Sequence, residues 1–405
     1  MSTTIKRHGE LDLLRGVAVL GIFQINIVYF GIPHELYHFP LINSSSDLLN
    51  IAAWFFTFLF VDGSMYGLFS LLFGASALLL LQQKSGQFDA VEVIDHYHRR
   101  MIWLIIFGLI HAYLLLSSME ILFTYGVLGL FLFVFREQSA STLIVLGLFL
   151  LLFGAVDFVV IEDAEAAVSS QLREVLYSAA LSQYQVFQSD YFEIFLYNFN
   201  EAFRWQSLYF LEDQVFDAGG MMLIGMALYK MGVLTGERSL RFYWTLSLAG
   251  YVIALLLRWP VVDIHFQAGF DPAVYNDLPS GAMMIGRIFL VFGHLGLLIL
   301  LYKLNCCRVL IYALQQAGRM ALTHYILQTL FVITLFYGFG LGMYGHFQHF
   351  ELLLIALLFA LFQVTVSLIW FRYFIYGPME WMWRSLVRNK PQPFRLQSMH
   401  YSISV

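Results

Sequence analysis

Residues Leu11 to Ile32 read LDLLRGVAVLGIFQINIVYFGI. Only Asp12 and Arg15, both near its start, carry charge, and the run is long enough to cross a bilayer core, which takes about 20 apolar residues of helix. Lys6 and Arg7 precede it, as they would a signal peptide. The charges at its start and its full spanning length argue against cleavage, so it is expected to remain as the first membrane helix. Comparable runs recur along the chain and predict about ten spans. After the first they are Gly63–Leu81, Met101–Ser117, Ile121–Phe135, Ser141–Ile161, Trp205–Tyr229, Phe242–Leu257, Gly281–Tyr302, Arg319–Tyr337 and Leu352–Phe371. A further apolar stretch, Leu48–Val61, runs into the second span but is broken from it by Asp62-Gly63, which predicts an interfacial or re-entrant helix.

Composition agrees. The chain of 405 residues is 60% hydrophobic, 18% aromatic and only 12% charged, about half the charged fraction of a soluble domain, and its mean hydropathy is +0.73. In lipid each span must satisfy its own backbone, which leaves helices or closed barrels. Long apolar runs rather than short alternating strands select the helical class. The sequence therefore predicts an all-α polytopic membrane helical bundle forming one membrane domain over residues 1–405. Helices 1–5 lie in 1–161, an outer acidic segment in 162–200, helices 6–10 in 201–385, and a tail in 386–405. A net charge of -5 supplies no basic field for nucleic acid. The two cysteines, Cys306 and Cys307, are adjacent and offer neither a disulfide framework nor a metal site.

Lys and Arg concentrate in alternate loops. Lys6, Arg7, Lys84, Arg99, Arg100, Arg136, Lys230, Arg238, Arg241, Lys303, Arg308 and the C-terminal group from Arg372 to Arg395 fall on one side. The other loops, 34–46, 117–120, 162–200, 259–280 and 340–351, contain one basic residue, Arg173. The bias places the first set, and both termini, in the cytoplasm. The 162–200 segment mixes acidic and aromatic residues and suits a helix lying along the outer leaflet.

Charges inside spans cost about 2.5–3.5 kcal/mol each on insertion scales, so each marks a partner or a wet cavity. Asp12 and Arg15 open helix 1, Asp62 opens helix 2, and His111 lies in helix 3 with Glu120 beyond it. Asp213 and Asp217 are four apart in helix 6, Arg287 and His294 seven apart in helix 8, and Arg319 and His324 occupy helix 9. Arg15 can neutralise Asp12 one turn away, or offer its planar fork to a phosphate entering from the cytoplasm. Asn26 follows on the same face of helix 1, where an amide can hold two helices together or orient a reacting group. His34 and His38 in the outer loop after helix 1 are candidate general bases, which a carboxylate would orient. His96 and His98, and His346 and His349, lack the further ligands of a metal site, so no metal is expected.

Several segments together resemble the YeiB-like family of bacterial inner-membrane proteins, a family built on a domain of unknown function. They are LDLLRGVAVLGI at 11–22 with Asn26, LFSLLFG at 68–74, Arg99-Arg-Met with GLIHA at 108–112, ILFTY at 121–125, GRMALTHYILQ at 318–328, FYGFGLG at 336–342 and YGPMEWMWR at 376–384. The chain departs from that pattern at His324, where the family usually has Asn, and at Glu120, where it has Asp. The family in turn looks like a distant relative of transmembrane acyltransferases of the heparan glucosaminide acetyltransferase type, through the Leu-Asp-x-x-Arg-Gly opening. That resemblance implies a bacterial cytoplasmic-membrane enzyme using acyl-CoA as co-substrate. Its phosphates would be held by Arg15, Arg319 and Arg99 or Arg100, with Asn26 lining the path. His38 would be the base at the outer face, Asp62 its partner, and His34 or His111 the alternative bases. The other function expected of such a bundle is transport of a small polar or anionic molecule, with Arg15, Arg287 and Arg319 binding substrate and His111, His294 and His324 relaying protons.

Overall fold

The computed structural model describes residues 8–34, 37, 48–84, 90–162, 169–270 and 280–396. Helix α1 runs Gly9–Gly31. Next come α2 (Leu48–Phe56), a π-helical turn at Thr57–Val61 and α3 (Ser64–Lys84). Then follow α4 (Ala90–Tyr113), α5 (Leu122–Leu132), α6 (Ala140–Glu162), α7 (Ser169–Phe187) and α8 (Tyr191–Tyr209). A second π turn, Phe210–Gln214, joins α8 to α9 (Val215–Lys230). The chain continues through α10 (Leu240–Gln267), α11 (Ser280–Lys303), α12 (Arg308–Arg319), α13 (Ala321–Phe336), α14 (His349–Trp370) and α15 (Pro378–Arg388). Among the described residues there is no strand, only one isolated bridge between Phe374 and Arg395. The protein is an all-α membrane bundle. Among the described residues five helical stretches are long and apolar enough to cross a membrane, or six if the bent α12–α13 pair counts as one.

Small residues set the closest helix approaches, as expected where lipid removes the hydrophobic drive for association. A Cβ on Gly318 would lie 1.9 Å from the Asp12 carbonyl oxygen, and one on Gly16 2.1 Å from that of Leu314, so α1 and α12 touch backbone to backbone. Gly74 and Gly225 do the same for α3 and α9.

Contacts between loops sort the chain ends by side. Lys230 donates to the carbonyls of Arg136 and Gln138, Lys303 to those of Gly236 and Arg238, and Gln315 to that of Gly9. The basic loops therefore meet at one end of the bundle. At the other, Gly345 N–H donates to Gly31, Gly338 N–H to Phe187, Asn198 to Ala112 and Tyr191 to Leu114. The alternation of basic and non-basic loops in the sequence is thus a spatial separation.

Several boundaries differ from the sequence reading; α4, for one, begins at Ala90 rather than Met101. α10 does not stop at Leu257 but runs through Pro260 to Gln267. A proline removes one backbone donor, and this helix tolerates it between buried Arg258 and buried Val261. The sixth span begins as α8 at Tyr191, continuous with α9 through the π turn. Arg319 ends α12 rather than opening the ninth span, and the chain turns by 81° at Met320. That turn exposes the first N–H groups of α13, and the Glu380 carboxylate from α15 accepts from two of them, Leu322 at 2.8 Å and Thr323 at 3.1 Å. A distant carboxylate thus supplies the cap that the local sequence lacks.

Candidate functional site

The ionisable residues gather into two partly exposed centres and one sealed cluster. The first centre forms where α2, α3, α9, α10 and α11 meet. Asp62 follows the Thr57–Val61 π turn, and Gly63 follows it with φ +67°. A Cβ on Gly63 would lie 2.1 Å from Cδ of Arg287, so this glycine both makes the turn and clears the path of that side chain. Arg287 passes through to Asp217, N–O 2.9 Å, with side chains 22% and 3% exposed. Asp213, exposed in the second π turn, is within electrostatic reach of both. On the other side Arg258, 1% exposed, approaches the Asp62 carboxylate to 4.0 Å and donates to the carbonyls of Asp62, at 3.3 Å, and Phe58. His294 completes the wall, with Nε2 2.8 Å from the Phe60 carbonyl oxygen and Nδ1 2.8 Å from the Tyr251 hydroxyl.

Both π-helical turns among the described residues border this one centre. Such turns free backbone groups and re-aim side chains, and they concentrate at functional positions. Three carboxylates, Asp62, Asp213 and Asp217, face two guanidinium groups, Arg258 and Arg287. Beyond α1, Tyr37 is the described residue that reaches the centre. Tyr37 is buried beside Asp62 and stacked on Tyr29 at 4.9 Å, and His349 meets its carbonyl at 3.1 Å. His38, the next residue, lies outside the described residues. His34 is described: its backbone N–H donates to Gln183, and burial lowers its pKa below the ordinary histidine value. Asn26 is half-buried on α1, one turn beyond Ile22, which packs with Val61 and Met65 beside Asp62.

The second centre is at the basic end. Arg15 donates to Asp12 at 3.0 Å and to the Ser76 hydroxyl at 3.0 Å. Arg100 stacks over Trp383 at 3.7 Å, while the Trp383 indole donates to the Arg100 carbonyl at 3.1 Å. Arg384, one residue on, lies over Tyr376 at 4.5 Å. Arg384, Arg15 and Glu380 are within electrostatic reach of Arg100, and Arg15 is paired with Asp12. A set of half-exposed guanidinium forks outnumbering their carboxylates is suited to a phosphate.

The sealed cluster contains His111. Its Nε2 is 2.8 Å from the Thr329 hydroxyl and its Nδ1 3.4 Å from Glu120, which also caps α5 by accepting from the N–H groups of Leu122 and Phe123. His111 and Glu120 are both 0% exposed. Nothing in this arrangement opens it to a substrate, and every polar atom has a structural task.

The structure thus sets Arg15 within electrostatic reach of Arg100, and places Asp62 beside Tyr37. Arg99 turns away to an exposed pair with Asp95 at 2.9 Å. Arg319 starts beside Gly318 on the α1 contact, but its side chain stacks on Phe371 at 3.5 Å and donates to Gln316 at 2.5 Å. Arg384, Glu380, Tyr37 and the Asp213–Asp217 pair were given no role in the sequence reading, and their partner Arg287 was given one only in the transport alternative. For the last set a signal existed, two carboxylates four apart within an apolar run and an arginine inside another. Among the described residues no three His, Cys, Asp or Glu side chains are placed to hold a metal ion.

Residues 228–390, which include α10 to α15, match a family described as protein of unknown function (DUF418). The chain is 31% identical over 390 residues to the uncharacterized protein YeiB of Escherichia coli, covering 96% of this chain and 98% of that one. It is 27% identical over 409 residues to the uncharacterized protein YxaH of Bacillus subtilis, covering 96% of each. No solved structure matches. Likeness of this degree along the full length places the chain in the DUF418 family, with YeiB and YxaH as relatives.

Proposed function

We propose that the protein is an acyltransferase of the bacterial cytoplasmic membrane, moving an acyl group from cytoplasmic acyl-CoA to an acceptor on the far side. The supporting observation is the pairing of two partly exposed centres of opposite excess charge along α1. Arg15 marks the cationic one, at the basic end, and Asn26 the level of the Asp62 centre. Eleven residues of helix separate them, about 16 Å at 1.5 Å per residue. The donor's phosphates bind Arg15, Arg100 and Arg384 at the cytoplasmic face, and the thioester extends toward Asp62. There the acceptor hydroxyl or amine attacks the thioester carbonyl. The acceptor's proton passes to a histidine of the loop after α1, His38 or His34, oriented by Asp62. The C–S bond breaks, and the leaving thiolate takes up the proton. Proximity in a dry bundle and a fixed charge environment supply most of the rate.

Photocrosslinking of purified protein with radiolabelled acetyl-CoA tests the donor site. Labelling is expected, competed by excess unlabelled acetyl-CoA. Arg15→Ala should weaken it roughly 10- to 100-fold, the value of one or two charge-assisted hydrogen bonds. No labelling at millimolar donor would contradict the proposal.

A second reading, transport of a small anion, draws on Arg287, whose side chain is partly exposed within a span-length helix. Flux into proteoliposomes that needs no acyl donor and is lost in Arg287→Ala would favour it.

A further inference from the structure

Between α11 and α13 the chain forms α12 at the basic end. Lys303, which closes α11, donates to the carbonyls of Gly236 and Arg238 in the neighbouring basic loop, and α12 starts five residues later at Arg308. The second half of α12 is held against α1. Gln315 donates to the Gly9 carbonyl at 3.1 Å, and Leu314 and Gly318 meet Gly16 and Asp12 backbone to backbone. α12 therefore stays level with the first two turns of α1. At Met320 the chain bends by 81°, and α13 carries it through 16 residues toward the opposite end. That length is about 24 Å, most of a hydrocarbon core of roughly 30 Å. The corner thus sits near the edge of the core, and α12 lies across the basic end rather than through it.

The two halves of α12 have different surroundings. Ala313, Gln316, Ala317 and Gly318 are buried, whereas Val309 is 84% exposed and Leu304, Leu310 and Tyr312 are exposed with it. Arg308 is the one charge between Leu304 and Tyr312. An apolar patch of this kind is uncommon against water and marks a surface that something else covers. The neighbouring elements say what. α12 packs on α14, a helix of spanning length whose Leu361, Phe362 and Ile369 are exposed, so lipid surrounds this side of the bundle. At the level of the core edge, the same lipid presents its boundary between acyl chains and headgroups. Leu304, Val309 and Leu310 suit the acyl side of that boundary. Tyr312 and Arg308 join an apolar body to a polar tip, the side chains that settle where the two sides meet.

We propose that the first half of α12, with the turn before it, is an interfacial arm. It lies in the leaflet at the basic end, with its apolar side chains among the upper acyl carbons and Arg308 on a lipid phosphate. The arm fixes the helix on which the first turns of α1, with Asp12 and Arg15, are packed. It does not depend on acyl transfer.

Cys306→Ser with Cys307→Ser removes every thiol, since these are the two cysteines of the chain. In that background Val309→Cys carries a fluorophore at an exposed position, and Leu358→Cys, exposed near the middle of α14, marks the depth of a span. The full-length proteins are placed in vesicles of phosphatidylcholine and phosphatidylglycerol. Quenching is compared for nitroxides near the headgroup, nitroxides deep on the acyl chain, and iodide in water. The label at position 309 should be quenched about twofold or more better by the shallow nitroxide than by the other two, as for a group about 5–10 Å into the boundary. The label at position 358 should respond best to the deep nitroxide, which shows that the bundle is folded and inserted. Strongest quenching at 309 by the deep nitroxide would make α12 half of a broken span. Strongest quenching by iodide would leave the arm in water, and protection from all three would mean a protein partner, a second copy of this chain included. Each of those three results would overturn the proposal.

Discussion

Arg287→Ala is expected to destabilise the protein by about 3–5 kcal/mol, the cost of leaving one member of a buried ion pair behind. Asp217 is the member left behind. It is 3% exposed, its carboxylate is 2.9 Å from the guanidinium, and Asp213 brings a second negative charge to the same place. Without Arg287 the buried Asp217 carboxylate and its neighbour Asp213 lose their counter-charge. They must then take up protons or draw in water, and α9 must part from α11 to admit it. The thermal midpoint in detergent should fall sharply, and little monodisperse protein should be recovered. The double change Arg287→Met with Asp217→Leu removes the pair together, and apolar replacement of a buried pair is commonly neutral or stabilising. It should recover most of the midpoint and none of the activity. A single variant as stable as wild type would mean that the pair is not the link between these helices.

Gly63→Ala is expected to act on the same link from the backbone. A left-handed φ costs an L-residue roughly 1–2 kcal/mol, and the added methyl lies 2.1 Å from Arg287 Cδ. Either the turn after the π segment changes, moving Asp62, or Arg287 withdraws from Asp217. Both routes dismantle the centre, so the loss should approach that of Arg287→Ala. Combining Gly63→Ala with Arg287→Ala should then add little, because the two act through one contact. Additive losses would show two separate sites.

The sequence announces the bundle because span length and loop charge are local properties. A run such as 11–32 states its class without reference to any neighbour, and the basic loops that it sorts do meet at one end. Boundaries failed where a distant residue decides them. α10 continues past Trp259-Pro260, where the terminal nitrogens of Arg258 reach the carbonyls of Asp62 and Phe58 in another segment. The α12–α13 corner forms at Met320, where Glu380 caps the new helix from nearly sixty residues away. The site was legible to a similar degree. Asp62 and Arg15 stand out as charges in apolar runs, and both lie in partly exposed centres. Arg384 resembles every other basic residue of the tail, and nothing local distinguishes it from a solvated positive charge. Only the folding of α15 against α4, with Trp383 under Arg100, brings it to the cationic centre. His111 illustrates the reverse: an intramembrane histidine whose ring nitrogens face a hydroxyl and a capping carboxylate.

Acyl transfer across the bundle requires a donor that enters at the basic end and an acyl group that leaves at the other. Sealed proteoliposomes of one orientation, given radiolabelled acetyl-CoA on a single side and a mixture of small alcohols and amines on the opposite side, measure this directly. Label should cross to the acceptors only when acetyl-CoA faces the Arg15, Arg100 and Arg384 end, with thiol released on the donor side, and Asp62→Asn should stop it. Transfer from either side alike, or full transfer in Asp62→Asn, would contradict the account.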